Sequence, residues 1–384
     1  MEKYWLWLSL TKGISLRQKN KLLKHFSNPE EIYRAADETI FQKLELEPVT
    51  LERDLRSIEK LQISCQGKGI DIMPIGDPRY PQRLRELPDA PIVLYYKGIW
   101  PDFAARPMFG IVGTRKATSY GKNCARMLSQ EISACGGIVV SGGAEGVDTH
   151  ALLSALDAGA MPIAVFGCGL DISYPPVNRR LFGRIAQSGC LISEYPPGTK
   201  PSPWQFPARN RIISGVSNAI VVIEAPEKSG ALITAQRALE QGRDVFVAPG
   251  NIDVLTNMGS NRLLREGASP ILTGWDAVSI YQDAYPQVAK VEIIPEGNPD
   301  QKEKCDKKVI DNSPPKPYHF LNDGACSLTE EECRLLSYLS REPKEMDEVI
   351  AKMGLPSSVV LGMLTDLSLR GIVINHSGRR VSVK

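Results

Sequence analysis

The sequence predicts an α/β protein whose main body is a doubly wound parallel sheet. Two observations carry that reading. Short, uniformly apolar runs recur at 109–112, 138–141, 163–166, 191–193, 220–223 and 245–247. Helical patterns fall between them at 121–135, 148–158, 178–187 and 231–241. Strands that are apolar throughout are covered on both faces. Strand–helix alternation gives right-handed crossovers and parallel pairing. In such sheets ligands bind beyond the carboxyl ends of the strands.

Length and composition bound the rest. A chain of 384 residues holds about two to three domains. An apolar fraction of 42% is enough to build cores, which excludes wholesale disorder. Charged residues make up 23% and the net charge is +2, which excludes both a strongly basic chromatin-type binder and an acidic solvating chain. A polyanion would therefore be bound at a local basic site. No apolar run reaches the length of about 18 residues that a membrane span needs. The opening MEKYWLWLSLTKGIS lacks a basic n-region and a small-residue cleavage site, so it reads as a buried helix rather than a signal peptide. The eight cysteines contain no Cys-x-x-Cys and no nearby histidine partner. They read as structural thiols in a reducing cytosol, with no metal site expected.

Along the chain, residues 1–65 are helical. Leu16, Leu22, Leu23 and Phe26 follow a 3.6 period, and Ser27-Asn28-Pro29 reads as a stop before a new start at Glu30. Charges nearly cancel there, which suits a packing or partner-binding module better than a phosphate grip. Residues 66–280 form the sheet body. Residues 281–327 contain EGNPDQKEKCDKK and DNSPPKP, without period, and predict a flexible linker. Residues 328–384 form a last small unit. Helices are expected at 329–339, 346–352 and 357–369, then a hairpin from Gly371. Three helices and a hairpin are the pattern of a winged helix.

Three strand ends run into glycine: Gly113-Thr114-Arg115, Gly142-Gly143 after Ser141, and Gly167-Cys168-Gly169. Glycine at a strand–helix turn lets backbone N–H groups approach a ligand, and a helix N-terminus adds partial positive charge. The fingerprints of nucleotide enzymes are missing: there is no G-x-x-x-x-G-K-[ST], and no G-x-G-x-x-G after the first strand. Basic residues gather at the same places. Arg115 and Lys116 sit in the first loop, Arg179 and Arg180 at a helix start, Arg209 and Arg211 after Phe206-Pro207, and Lys228-Ser229-Gly230 before a helix. Arginine is a planar fork suited to phosphate oxygens. The stretch 194–211 interleaves proline, aromatic and basic residues, Lys200 among them. Bases stack on aromatic faces at about 1–3 kcal/mol each, so Phe206 or Trp204 could be a platform, or could instead plug a core. Catalytic sets are thin. His25, His150, His319 and His376 are scattered. Asp148 with His150 reads as a capping carboxylate beside a packed ring. Glu145 and Glu224 lie near strand ends, where they could assist nucleotide hydrolysis.

Taken together, Gly113-Thr-Arg, Ser141-Gly-Gly-Ala-Glu-Gly-Val-Asp, Gly167-Cys-Gly-Leu-Asp-Ile-Ser-Tyr-Pro, Phe206-Pro-Ala-Arg-Asn-Arg-Ile-Ile-Ser-Gly, Glu224-Ala-Pro-Glu-Lys-Ser-Gly-Ala-Leu-Ile-Thr-Ala and Ala248-Pro-Gly-Asn resemble the DNA-processing protein A family (DprA, also called Smf). The resemblance is dense over about 70–275. It implies a Rossmann-like core between a sterile-alpha-motif-like helical domain and a winged-helix domain. It implies no catalysis and no cofactor. The implied role is to bind single-stranded DNA taken up in natural transformation, protect it, and load the RecA recombinase. The implied state is a cytoplasmic homodimer. By this resemblance the DNA site comprises Gly113, Thr114, Arg115, Gly142, Gly143, Phe206, Arg209, Asn210, Arg211, Lys228, Ser229 and Gly230, with Lys200 and Arg179 as additions. Two features depart from the family pattern. Glu145 stands where many members carry a basic residue, which sets that loop outside the phosphate track. The expected recognition helix, 357–369, holds no basic residue, which points to protein contact, with Arg379 and Arg380 as the wing's anchors. Two other readings stay open: an enzyme like the nucleoside-monophosphate phosphoribohydrolases, and an adaptor with a vestigial core site.

Overall fold

A computed structural model describes residues 1–291, 330–340, 343–355, 357–369, 372–376 and 380–383. They fall into two compact units, one holding the described residues up to 291 and the other those from 330 onward. The expected linker lies outside the described residues from 292, as do His319 and Arg379.

The first unit begins with five helices: α1 (Glu2–Leu10), α2 (Leu16–His25), α3 (Pro29–Arg34), α4 (Asp37–Leu44) and α5 (Leu55–Gly67). Local chemistry sets their starts. Ser15 and Gln18 form a capping box on α2. Asn28 caps α3 with Pro29 at its first position, and Asp54 caps α5. Leu6, Leu8, Leu22, Ile32 and Ile40 are fully buried. They share one continuous apolar core with Met73, Ile92 and Leu94 of the sheet body. Asn20 also donates to the Ala90 carbonyl at 2.8 Å. The change of texture near residue 65 is thus bridged by packing. Inside this layer Lys19 is buried, its ammonium donating to the Ser9 carbonyl at 2.7 Å, and burial pulls its pKa down to about 8.

The body follows in chain order as β1 (Asp71–Pro74), α6 (Gln82–Arg85), β2 (Val93–Gly98), β3 (Met108–Gly113), α7 (Ser119–Ala134), β4 (Ile138–Ser141), α8 (Val147–Asp157), β5 (Ile163–Phe166), α9 (Arg179–Ser188) and β6 (Cys190–Ser193). It continues as α10 (Gln205–Val216), β7 (Ala219–Ile223), α11 (Gly230–Glu240), β8 (Asp244–Val247), α12 (Met258–Arg265), β9 (Ser269–Pro270) and α13 (Gly274–Val278). The strands form one sheet in the order β1-β2-β6-β5-β4-β3-β7-β8-β9. From β6 to β9 every pairing is parallel. All six strands expected from the sequence are present. The expectation of a wholly parallel sheet is corrected at one edge, where β2 runs antiparallel to β6 and β1 antiparallel to β2.

The pleat explains the uniformly apolar runs. In β7, Ile220 and Val222 face the core shared with the helical layer, while Ala219, Val221 and Ile223 face the core under α7, α8 and α13. Both faces are covered, so neither can be polar. The fold is doubly wound. From β3 the chain works outward through β4, β5 and β6, then returns to the other side of β3 and runs on through β8 and β9. Connections leave the carboxyl ends of neighbouring β3 and β7 in opposite directions, which opens a crevice between them.

The second unit consists of α14 (Glu330–Tyr338), β10 (Lys344–Glu345), α15 (Met346–Met353), α16 (Ser357–Leu369), β11 (Val373–His376) and β12 (Arg380–Val383). Its strands pair antiparallel in the order β10-β12-β11. Leu335, Val349, Val360, Leu367 and Val381 form its core. Gly354, at φ 65°, ends α15 in the left-handed conformation. This is the expected winged helix. Arg380 is exposed, with Glu345 3.7 Å away.

Candidate nucleic-acid interface

The crevice between the ends of β3 and β7 is a groove of about 470 Å3. Gly113, Thr114 and Arg115 line it from the β3 side. Lys228, Ser229 and Gly230 line it from the β7 side, and α10 contributes Phe206, Arg209 and Asn210. A second pocket of about 250 Å3 adjoins it, lined by Arg115, Phe206 and Arg209 again together with Lys116, Gly142 and Glu145. Arg115, Lys116 and Lys228 are exposed. The Arg115 guanidinium lies 5.5 Å from the centre of the Phe206 ring, and the Tyr174 ring stacks on Phe206 at 5.4 Å. Cation and ring are thus offered together, as backbone and base binding require.

The glycine turn after β4 differs from its expected role. Asp148, in the first turn of α8, accepts the N–H groups of Gly142 at 3.1 Å and Ala144 at 3.2 Å. Those amides are occupied. Asn178 holds the Gly143 carbonyl at 3.0 Å and reaches Thr149 at 2.8 Å. Gly143 packs against Phe182 and lines neither pocket. Gly146, at φ 78°, has the carbonyls of Thr114 and Arg115 where a Cβ would stand. That close approach locks the Arg115 loop against the start of α8. Asp148 is buried, which raises its carboxyl pKa, although the Arg209 charge opposes the rise.

Glu224 performs the same service at α7. It is buried at φ 44° and accepts the Thr118 N–H at 2.8 Å as well as the Thr118 hydroxyl. Its backbone carbonyl takes the Thr114 N–H at 2.8 Å. The expectation that Glu224 could assist hydrolysis is corrected: its oxygens are spent on pinning the β3 loop to the β7 end. Carboxylates of the protein thus already sit at the positive ends of α7 and α8. At α11 the cap is instead neutral, Ser229 accepting the Ala231 N–H at 3.2 Å, with no acidic residue in the first turn. That helix start, beside Lys228, is the one of the three left open to an anion.

The arginines of α10 divide. Arg209 is buried between strand ends, donating to the Gly142 carbonyl at 2.6 Å and to the Val165 carbonyl. Burial lowers its pKa to about 10, and facing Asp148 opposes that shift, so it stays charged at neutral pH. Arg211 does not reach the groove. It is locked in an ion pair with Glu194, with Asp89 at 3.6 Å. The role expected of it as a phosphate contact is corrected accordingly. Arg179 and Lys200 are exposed but line neither pocket. Tyr174 is the residue that sequence reasoning missed. Its signal was a Tyr-Pro step in the loop after the third glycine-rich strand end. Among the described residues no group of His, Cys, Asp or Glu could hold a metal ion, and no helix is long and apolar enough to cross a membrane.

Comparison with known proteins gives consistent matches. A family model described as DNA recombination-mediator protein A matches residues 71–282, and a DprA winged helix domain model matches 322–379. Protein Smf of Synechocystis is 34% identical over 99% of this chain and 98% of its own length. The DNA processing protein DprA of Streptococcus pneumoniae is 36% identical over 70% of this chain and 95% of its own. A crystal structure of the Streptococcus pneumoniae protein superimposes with a TM-score of 0.62 at 33% identity, covering 73% of this chain and 98% of that one. The Helicobacter pylori DNA processing protein A, whose structure addresses its single-stranded DNA binding mode, superimposes with a TM-score of 0.51 at 30% identity, over 56% of this chain and 97% of that one.

Proposed function

Because this chain belongs to the DNA recombination-mediator protein A family, we propose that it binds single-stranded DNA in the groove between β3 and β7, protects it, and hands it to the RecA recombinase. One observation carries the reading: exposed cations, Arg115 and Lys228, stand on opposite walls of a groove that also presents an aromatic stack. Arg115, Lys116, Lys228 and the start of α11 hold backbone phosphates. Phe206 and Tyr174 stack bases. Thr114, Asn210, Ser229 and Gly230 shape the walls. Arg209 contributes its charge from below. Gly142 and Gly143 serve as the scaffold of the Arg115 loop. The role is that of a mediator in natural transformation and recombination, carried out in the cytoplasm, and not that of an enzyme.

Self-association fits the same reading. Ile252 and Leu255 are 91% and 76% exposed beyond the carboxyl end of β8, and Leu272 is 74% exposed just after β9. Apolar side chains this open at one sheet edge suit a second copy of the chain. The winged helix, with no basic residue on α16, suits a protein partner.

The test is fluorescence anisotropy of a labelled oligonucleotide. Tight, strongly salt-dependent binding is expected. Arg115→Ala should weaken binding of every sequence alike while leaving the melting temperature unchanged. Affinity unaltered by that substitution would overturn the reading. Released base on incubation with nucleoside monophosphates would favour a hydrolase instead.

A further inference from the structure

We propose that Glu145 makes the smaller pocket selective for an unpaired base with an amino group on its edge, so that cytosine is held better than thymine. The proposal rests on the reading of the groove as a site for single-stranded DNA.

The pocket has a volume of about 250 Å3. Sites for drug-sized ligands run to about 300–1,000 Å3, so this one suits a single planar heterocycle. It shares Arg115, Tyr174, Phe206 and Arg209 with the groove and adds Lys116, Pro175 and Glu145. Tyr174, Pro175 and Phe206 give it flat apolar faces, and Glu145 adds a carboxylate. Glu145 is exposed and makes no ion pair among the described residues. Arg115 and Lys116 on the same walls stay available to backbone phosphates, and Glu145 supplies the acceptor that the edge of a base can meet.

An ionised carboxylate accepts hydrogen bonds and donates none. Cytosine presents its N4 amino group as a donor where thymine presents O4 as an acceptor. The single ring N–H of thymine lies between two carbonyl oxygens, which face the carboxylate along with it. The donor of cytosine lies at the outer edge, next to a C–H. Both bases are pyrimidines, so stacking on the rings is closely matched and the difference falls on that edge.

The experiment compares dye-labelled oligo-dC and oligo-dT of equal length on the full chain, by anisotropy, at slightly alkaline pH where cytosine tracts stay single. Wild-type protein should hold oligo-dC about threefold to tenfold tighter, the effect of one net hydrogen bond. Glu145→Gln, which can donate as well as accept, should bring the ratio close to one. Glu145→Lys should invert it and tighten both complexes. A wild-type ratio of one or less overturns the proposal, as does a ratio that survives Glu145→Gln. In either case binding itself persists and the functional reading stands. If neither oligonucleotide binds, that reading falls together with the proposal.

Discussion

Arg209 and Arg211 stand two positions apart on α10 and meet opposite fates, set by what faces each. Arg209 lies among carbonyl oxygens at the strand ends and shares its charge with Asp148. Arg211 is 9% exposed at its side chain, against a Glu194 side chain that is 13% exposed. Removing one partner of a buried pair strands the other and costs about 3–5 kcal/mol. Arg211→Ala should therefore lower the urea unfolding midpoint sharply, while the folded fraction keeps its oligonucleotide affinity. A loss of affinity without a loss of stability would place Arg211 in the groove after all. Lys19 supplies a prediction in pH. Its pKa falls from 10.5 in an open chain to about 8 in the fold. Between those values the unfolded chain binds more protons than the native protein, so this residue makes stability rise with pH. The gain is complete above the unfolded pKa and is lost as pH falls through about 8. Denaturant titrations of wild type and Lys19→Met should diverge across that interval, by about 3 kcal/mol at most. Parallel curves would mean that the ammonium is hydrated.

At the scale of elements, the β3 and β4 loops are clamped to each other through Gly146. Gly146→Ala places a Cβ against the carbonyls of Thr114 and Arg115 at a positive φ. Strain of this kind costs about 1–3 kcal/mol. Both the melting temperature and the oligonucleotide affinity should fall, because the Arg115 loop must move. A stable variant with full affinity would show that the clamp is dispensable. The strands of the body were legible because burial on both faces leaves them uniformly apolar. The glycine loops were legible because they punctuate those strands. α10 was not, since Pro207, Arg209, Asn210 and Arg211 break any apolar stripe and nearly all of the helix is buried. Nor was the β1–β2 edge, where Asp71 and Pro74 bound a short strand that lies on a single neighbour. The pairing of Arg211 with Glu194 spans 17 residues, and no local spacing rule connects them.

For the whole molecule, net charge is a poor guide to what it binds. The total is +2, yet Arg115, Lys116 and Lys228 stand together at one end of the sheet. Each phosphate neutralised on a single strand contributes about −0.7 to the slope of log affinity against log salt, so three cations predict a slope of about −2 per bound chain. A slope near zero would mean that stacking alone holds the strand. A far steeper one would mean that cations elsewhere, Arg179 or Lys200 among them, join the path. The helical layer and the sheet body share one core, so the groove rests on a platform larger than the strands that form it.

Asp148 and Glu224 are permanent lodgers in places where a triphosphate would otherwise settle. A cell's pool of free nucleotides therefore finds two of the three helix starts already taken and gains little from the third alone. A long polymer needs no single strong foothold, because many weak ones along its length add up. If the groove serves the strand proposed for it, free monomers compete there for one open helix start rather than three.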